Sequence, residues 1–184
     1  RLASGIAHNF NNLMMIVMQA NQKKFAEIEK TVESFQKTIQ RLTYLSKPVV
    51  TNPHGLTLGG GCEMAMAGAR MVVAKETYMG LVEVGVGLIP GGCGTLNMLK
   101  RAFADVPTKI DRNMFDSLGR VQKAFEAIAM AKVATGAGEV FSLGFGRPQD
   151  EIAMNQDTRI YQSRLTARYL ADRGYTAPRP AQNL

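Results

Sequence analysis

Between Thr57 and Thr95 two glycine-rich turns each stand close to one carboxylate. The first runs Leu58-Gly59-Gly60-Gly61-Cys62-Glu63 and continues into Met64-Ala65-Met66-Ala67. The second runs Gly80-Leu81-Val82-Glu83-Val84-Gly85 and leads to Pro90-Gly91-Gly92-Cys93-Gly94-Thr95. Backbone without side chains at the start of a helix can aim bare N–H groups at an oxygen. Two carboxylates twenty positions apart in sequence can face each other across whatever carries that oxygen. Such a layout suits proton transfer beside an oxyanion hole. Each part also has an ordinary use. A glycine triplet makes a tight turn, and a glutamate in a first helical turn is favourable against the helix dipole. Glu83, between two valines, could equally be a strand-edge charge. The order and spacing of all the parts together favour the site.

The elements that must hold these residues follow from periodicity. Phe25, Ile28, Val32, Phe35, Ile39, Leu42 and Leu45 recur at steps of three and four, the stripe of an amphipathic helix with its charges outside. Lys47-Pro48 ends it, because proline cannot continue the ladder. Val49-Val50, Leu56–Leu58 and Met71–Ala74 read as short strands, around a turn at Asn52-Pro53-His54-Gly55. Gly60–Gly68 reads as a small-residue helix able to pack closely on a sheet, and Thr95–Ala102 as the next helix. Alternating short strands and helices predict an α/β layer with parallel strands over residues 1–105. Residues 106–174 read as helices alone. Phe115–Lys132 carries a stripe of Phe115, Leu118, Val121, Phe125, Ile128 and Ala129. Ala134–Leu143 follows, then Asp157–Arg173 with Ile160, Leu165, Tyr169 and Leu170. Residues 175–184 read as a tail or linker, from their prolines.

Composition narrows the function classes. The 184 residues are 46% hydrophobic and 20% charged, as in a globular domain. No apolar run approaches the roughly 18 residues of a membrane span, and Arg1-Leu2-Ala3 does not open a secretory signal. Cys62 and Cys93 have no metal-ligand spacing and read as small, reduced packing residues of a cytoplasmic protein. The net charge of +7 is spread along the chain, without the basic–aromatic clustering of nucleic-acid binders. It reads as a solvated surface that also suits a phosphorylated ligand. His54 reads as a turn residue.

Lys47-Pro48-Val49-Val50, Leu56-Thr57-Leu58-Gly59-Gly60-Gly61-Cys62-Glu63 and Tyr78 through Gly92 together resemble the crotonase (enoyl-CoA hydratase/isomerase) superfamily. The nearer likeness is to the hydratase part of bacterial bifunctional 3-hydroxyacyl-CoA dehydrogenase/enoyl-CoA hydratase proteins of fatty-acid β-oxidation. The resemblance implies a spiral of short strand–helix (ββα) turns with a helical C-terminal part. It implies hydration of an α,β-unsaturated acyl-CoA, with Glu63 and Glu83 as the catalytic carboxylates. The Gly60 N–H would supply one half of the oxyanion hole and Ser4 the other, while Gly5, Ala7, Gly59, Gly61, Pro90 and Gly91 would line the substrate. Glu83, desolvated between valines, is assigned the acid role and Glu63 the base role. No metal or redox cofactor is implied, and CoA enters as part of the substrate. NAD would serve only a separate dehydrogenase domain, for which the chain has no Gly-x-Gly-x-x-Gly unit. The expected partners are the acyl-CoA thioester and either further copies of the chain or a dehydrogenase domain of the same polypeptide.

The sequence departs from the family's pattern in three places. The strands that normally precede the first oxyanion loop are missing, so the chain reads as N-terminally truncated. The loop itself, Ala3-Ser4-Gly5-Ile6-Ala7-His8-Asn9, is irregular. Cys93 stands where a glycine is expected, and Ala69-Arg70 where Asp-Arg is common. Leu2 through Met14 also resembles the phosphoacceptor box of sensor histidine kinases, with His8 as acceptor, although the rest of the chain supplies no ATP-binding domain. Two alternatives to hydration stay open: enoyl-CoA isomerisation, and a non-catalytic fragment that binds acyl-CoA or acts as a scaffold.

Overall fold

A computed structural model of the chain describes residues 16–107 and 115–180. Ser4, Gly5, Ala7 and His8 lie outside the described residues. Helix α1, Phe25–Thr43, carries the expected stripe: Ile39 is buried, and Ile28, Val32, Phe35 and Leu42 are half-buried. Phe25, at its first turn, is exposed.

Beyond α1 the chain alternates between two small sheets. β1 (Val50–Thr51) and β3 (Arg70–Ala74) lie in one sheet, β2 (Leu56–Leu58) and β4 (Tyr78–Gly80) in the other. β1 pairs parallel with β3, Val50 opposite Arg70, and β2 pairs parallel with β4, Leu56 opposite Tyr78. α2 (Gly60–Met66) carries the chain from β2 to β3, and α3 (Gly94–Ala102) follows β4. The chain is thus wound as a spiral in which each turn adds one strand to each sheet.

The expectation of helices alone beyond residue 106 is corrected by two strands. After α4 (Ser117–Ala129), β5 (Val133–Ala134) pairs antiparallel with β4. After α5 (Ala137–Ser142), β6 (Glu151–Ala153) pairs parallel with β3. One core therefore spans both parts: Cys62, Met66, Met71, Val73, Met79 and Leu81 pack with Ala127, Ala134, Val140 and Phe145. These strands are two and three residues long, too short for a period-2 pattern to show.

The expected stripes of the later helices hold only in part: Ile128 packs against the core, but several of the other apolar residues face outward. On α4, Leu118 and Phe125 are exposed and Ala127 is buried. On α6, Arg159–Asp172, the residues Ile160, Leu165 and Tyr169 are exposed while Ser163 and Thr166 are buried. α6 packs on β1 and β3 through this small polar face, and Thr166 Oγ1 donates to the Glu151 carboxylate at 3.0 Å. Small residues bring the helix backbone close to the sheet, and hydroxyls that bond within the element can be buried there.

A latch ties the late segment to the early sheet. Asp150 accepts from the amides of Met71 and Arg147, each at 2.8 Å, and from Arg147 Nη2 at 2.9 Å. Arg147 Nη2 also donates to the carbonyls of Gly68 and Ala69. The tail is not a free linker either: the Tyr175 amide bonds the Leu170 carbonyl at 3.0 Å.

Candidate active site

The turn from β2 into α2 depends on Gly59, whose φ of 54° and ψ of −127° suit only a residue without Cβ. Its amide donates to the Gly80 carbonyl at 2.8 Å, anchoring the turn to β4. Gly60 then opens the helix with an amide that has no acceptor within it. A Cβ on Gly60 would lie 3.3 Å from the ring of Phe35, so α1 seats directly against this turn.

Glu63 is the fourth residue of α2 and is 2% exposed. Its Oε1 accepts from the Gly94 amide at 2.7 Å, with the Gly92 amide nearby. Glu63 therefore caps the start of α3 from another helix. The fit leaves no room for side chains. A Cβ on Gly94 would stand 2.7 Å from Glu63 Oε1 and 2.8 Å from Pro90 Cβ, and one on Gly92 would collide with Glu63 Oε2 and Phe35.

Glu83 lies beyond β4 and opens the 3-10 turn Glu83–Val86, which ends at Gly87 with φ of 77°. It is 4% exposed, and its Oε2 is buried with no hydrogen-bond partner among the described residues. Burial raises the Glu83 carboxyl above its usual range. Burial and the nearby Glu83 charge push Glu63 up to about 7, against the pull of the Gly94 and Gly92 amides. The neighbouring valines named in the sequence reading are not the cause, since Val84 points outward at 38% exposure. Both carboxyls are raised, and the difference between them is in their partners: the Gly94 amide bonds Glu63, while Glu83 Oε2 has no partner among the described residues.

The two glutamates share the wall of a cavity of about 500 Å³ with Gly60, Gly61, Gly91 and Gly92. Gly59 and Pro90 stand behind it, buried, and shape the turns. The apolar side comes from Ile28, Val32, Phe35, Met64, Leu88 and Ile89. α1 is held over this cavity by Gln36, whose Nε2 donates to the Gly91 carbonyl at 2.6 Å. Sequence reasoning missed Gln36 and Phe35. Phe35 was read only as part of a core stripe, and a single glutamine on a charged face carries no signal.

Cys93 is the N-cap of α3, with φ of 72°, the left-handed region that favours glycine. This explains why glycine was expected there. The two cysteines are unpaired, and burial raises both thiols. His54 is exposed in its turn. Among the described residues no helix is long and apolar enough to cross a membrane.

Comparison with known proteins gives this geometry a context. The family model described as enoyl-CoA hydratase/isomerase matches residues 15–130. The chain is 40% identical over 171 residues to a Bacillus subtilis protein named as a probable 3-hydroxyacyl-CoA dehydrogenase, covering 91% of this chain and 20% of that protein. It is 42% identical over 59 residues to the short-chain-enoyl-CoA hydratase of Clostridium acetobutylicum, covering 32% of this chain and 23% of that protein. Among solved structures, enoyl-CoA hydratase from Bacillus anthracis superposes with a TM-score of 0.61 at 22% identity, over 79% of this chain and 48% of that one. The chain thus spans a fifth of the first relative and about half of the solved hydratase.

Proposed function

The chain belongs to the enoyl-CoA hydratase/isomerase family, and we propose from its carboxylate pair that it adds water to an α,β-unsaturated acyl-CoA in β-oxidation. The observation that carries this reading is the burial of Glu63 and Glu83 in the wall of one cavity, beside the amide-bearing start of α2.

In this reading the thioester oxygen rests against the Gly60 N–H. The apolar side of the cavity takes the acyl chain. Glu63, in its ionised form and oriented by the Gly94 amide, holds a water and accepts its proton. The oxygen of that water bonds to the β-carbon, and charge moves onto the thioester oxygen. One well-aimed donor at that oxygen is worth about 3 kcal/mol or more of transition-state stabilisation. Glu83, whose unpartnered oxygen favours the neutral acid, then gives its proton to the α-carbon. Addition from one side by two carboxyls in one wall gives the syn product. Burial of both side chains is what keeps one carboxyl protonated beside an ionised one.

Gly61 and Gly91 line the substrate in the same proposal, while Ser4, Gly5 and Ala7 would complete the oxyanion hole. CoA is part of the substrate, and no metal or redox group takes part. The likeness over 171 residues to a much longer protein named as a dehydrogenase supports a hydratase unit within a longer polypeptide whose other domain uses NAD. Association with further copies and a cytoplasmic location, suggested by the unpaired cysteines, belong to the same proposal.

Incubation with crotonyl-CoA in deuterated water tests it, with the product followed by mass and proton spectra. Hydration gives a 3-hydroxyacyl-CoA with one deuterium at the α-carbon, syn to the new hydroxyl. A product isomeric with the substrate would mean double-bond migration instead, and an unchanged substrate would mean binding without turnover.

A further inference from the structure

A second cavity, of about 380 Å³, lies at the other end of α2 and α3, where both helices finish. Lys100, Arg101, Arg147 and Arg179 are in its wall, with Tyr44 and Tyr175, and no aspartate or glutamate lines it. The tail contributes Tyr175 and Arg179, so the segment expected to be a linker closes one side.

Part of this positive charge is already used. Arg101 Nε donates to the Phe145 carbonyl and Nη2 to that of Met66, both at 3.0 Å. Arg147 is paired with Asp150 at 2.9 Å. Lys100 Nζ donates to the Tyr44 hydroxyl at 3.1 Å and lies over its ring. Of these bonds, the one to Met66 satisfies a helix-end carbonyl, as cations at C-termini do. They leave the charge itself uncompensated, because Asp150 is one carboxylate for two arginines. Burial, and then the repulsion of Arg147, lower the Arg101 guanidinium to about 10.

Donors also remain. Arg101 Nη1, two of the three Lys100 protons and Arg179 have no acceptor among the described residues. Asn97 also borders the cavity and is 7% exposed, with its Nδ2 turned away from the opening into the protein. Lys100 and Arg101 are half-buried and Arg179 is exposed, so an entering anion can reach them from the solvent side.

We propose that this cavity binds a phosphate group, held by Lys100, Arg101 and Arg179. The requirement is for a compact oxyanion with several acceptor oxygens, since the donors converge from α3 and the tail with no acid between them. The site stands apart from the Glu63–Glu83 cavity and does not depend on the reaction proposed there. The phosphate could be a free ion or the 3′-phosphate of CoA.

Calorimetric titration of the chain with inorganic phosphate at fixed ionic strength tests this. The expected result is one site per chain, weakened at least tenfold in Lys100→Gln and, as a second variant on an exposed side chain, in Arg179→Gln, with circular dichroism unchanged. Competition then identifies the source. Displacement by CoA but not by dephospho-CoA assigns the site to the 3′-phosphate, and displacement by neither assigns it to a free anion. Two results would overturn the proposal: no saturable binding, or binding that both variants leave unchanged.

Discussion

Glu63 Oε1 accepts a hydrogen bond from the backbone amide of Gly94 at 2.7 Å, so a buried carboxylate of α2 is also the cap of α3. This one contact ties the two glycine-rich turns together. It holds the Glu63 oxygens where only glycines at 92 and 94 leave room for them.

Substituting alanine at Gly94 should therefore act on chemistry. Its Cβ would fall 2.7 Å from the carboxylate, which must turn away. Misplacement of a catalytic group by about 1 Å can cost on the order of a hundredfold. Steady-state rates of Gly94→Ala with crotonyl-CoA should fall by about that factor, with the far-ultraviolet circular dichroism retained. An unchanged kcat would show that the Glu63 position is not critical.

The raised Glu63 acid links pH to stability. Its ordinary value is 4.5 and its folded value about 7. The folded state thus binds the proton more tightly, and the stability gained is complete below about pH 4.5 and lost as pH rises to about 7. The shift corresponds to roughly 3 kcal/mol. In Glu63→Gln the decline between pH 5 and pH 8 should be smaller than in the wild type by an amount of that order. Urea unfolding across this range measures the difference, and parallel pH profiles would contradict it.

Cys93 points to a stabilising change. A side chain at φ of 72° costs about 1 kcal/mol relative to glycine. Cys93→Gly should raise the unfolding free energy by about that much. A loss of stability would mean that packing of the thiol outweighs the backbone strain.

Asp150→Ala should do the opposite. It strips the Met71 amide and the Arg147 guanidinium of a buried partner, a loss of about 3–5 kcal/mol. Thermal denaturation would record it, and a melting point within a degree or two of wild type would refute the latch.

What could be read from the sequence follows the length scale of each signal. α1 was legible because six apolar residues repeat over its roughly five turns. The parallel α/β core was legible from glycine turns between short apolar runs. Gly60, Gly61, Glu63, Glu83 and Gly91 do line one cavity, since their order along the chain mirrors the order of β2, α2, β4 and the turn before α3. β5 and β6 were not legible: runs of two and three residues carry no period. The faces of α4 and α6 were misjudged because apolar periodicity was taken to mark the inward side. In α6, Ser163 and Thr166 face the sheet instead. The latch of Asp150 on Met71 joins residues 79 apart in sequence, a distance at which no local pattern speaks.

The central claim is that Glu63 and Glu83 work as a pair on an enoyl thioester. The direct measurement is the loss of the conjugated enoyl absorbance of crotonyl-CoA, with Glu63→Gln and Glu83→Gln assayed beside the wild-type chain. The account predicts turnover by the wild type and a fall of about 10²–10⁴-fold in each variant, the usual worth of a positioned acid or base. A folded wild-type chain without turnover, or a variant that keeps the wild-type rate, would contradict it.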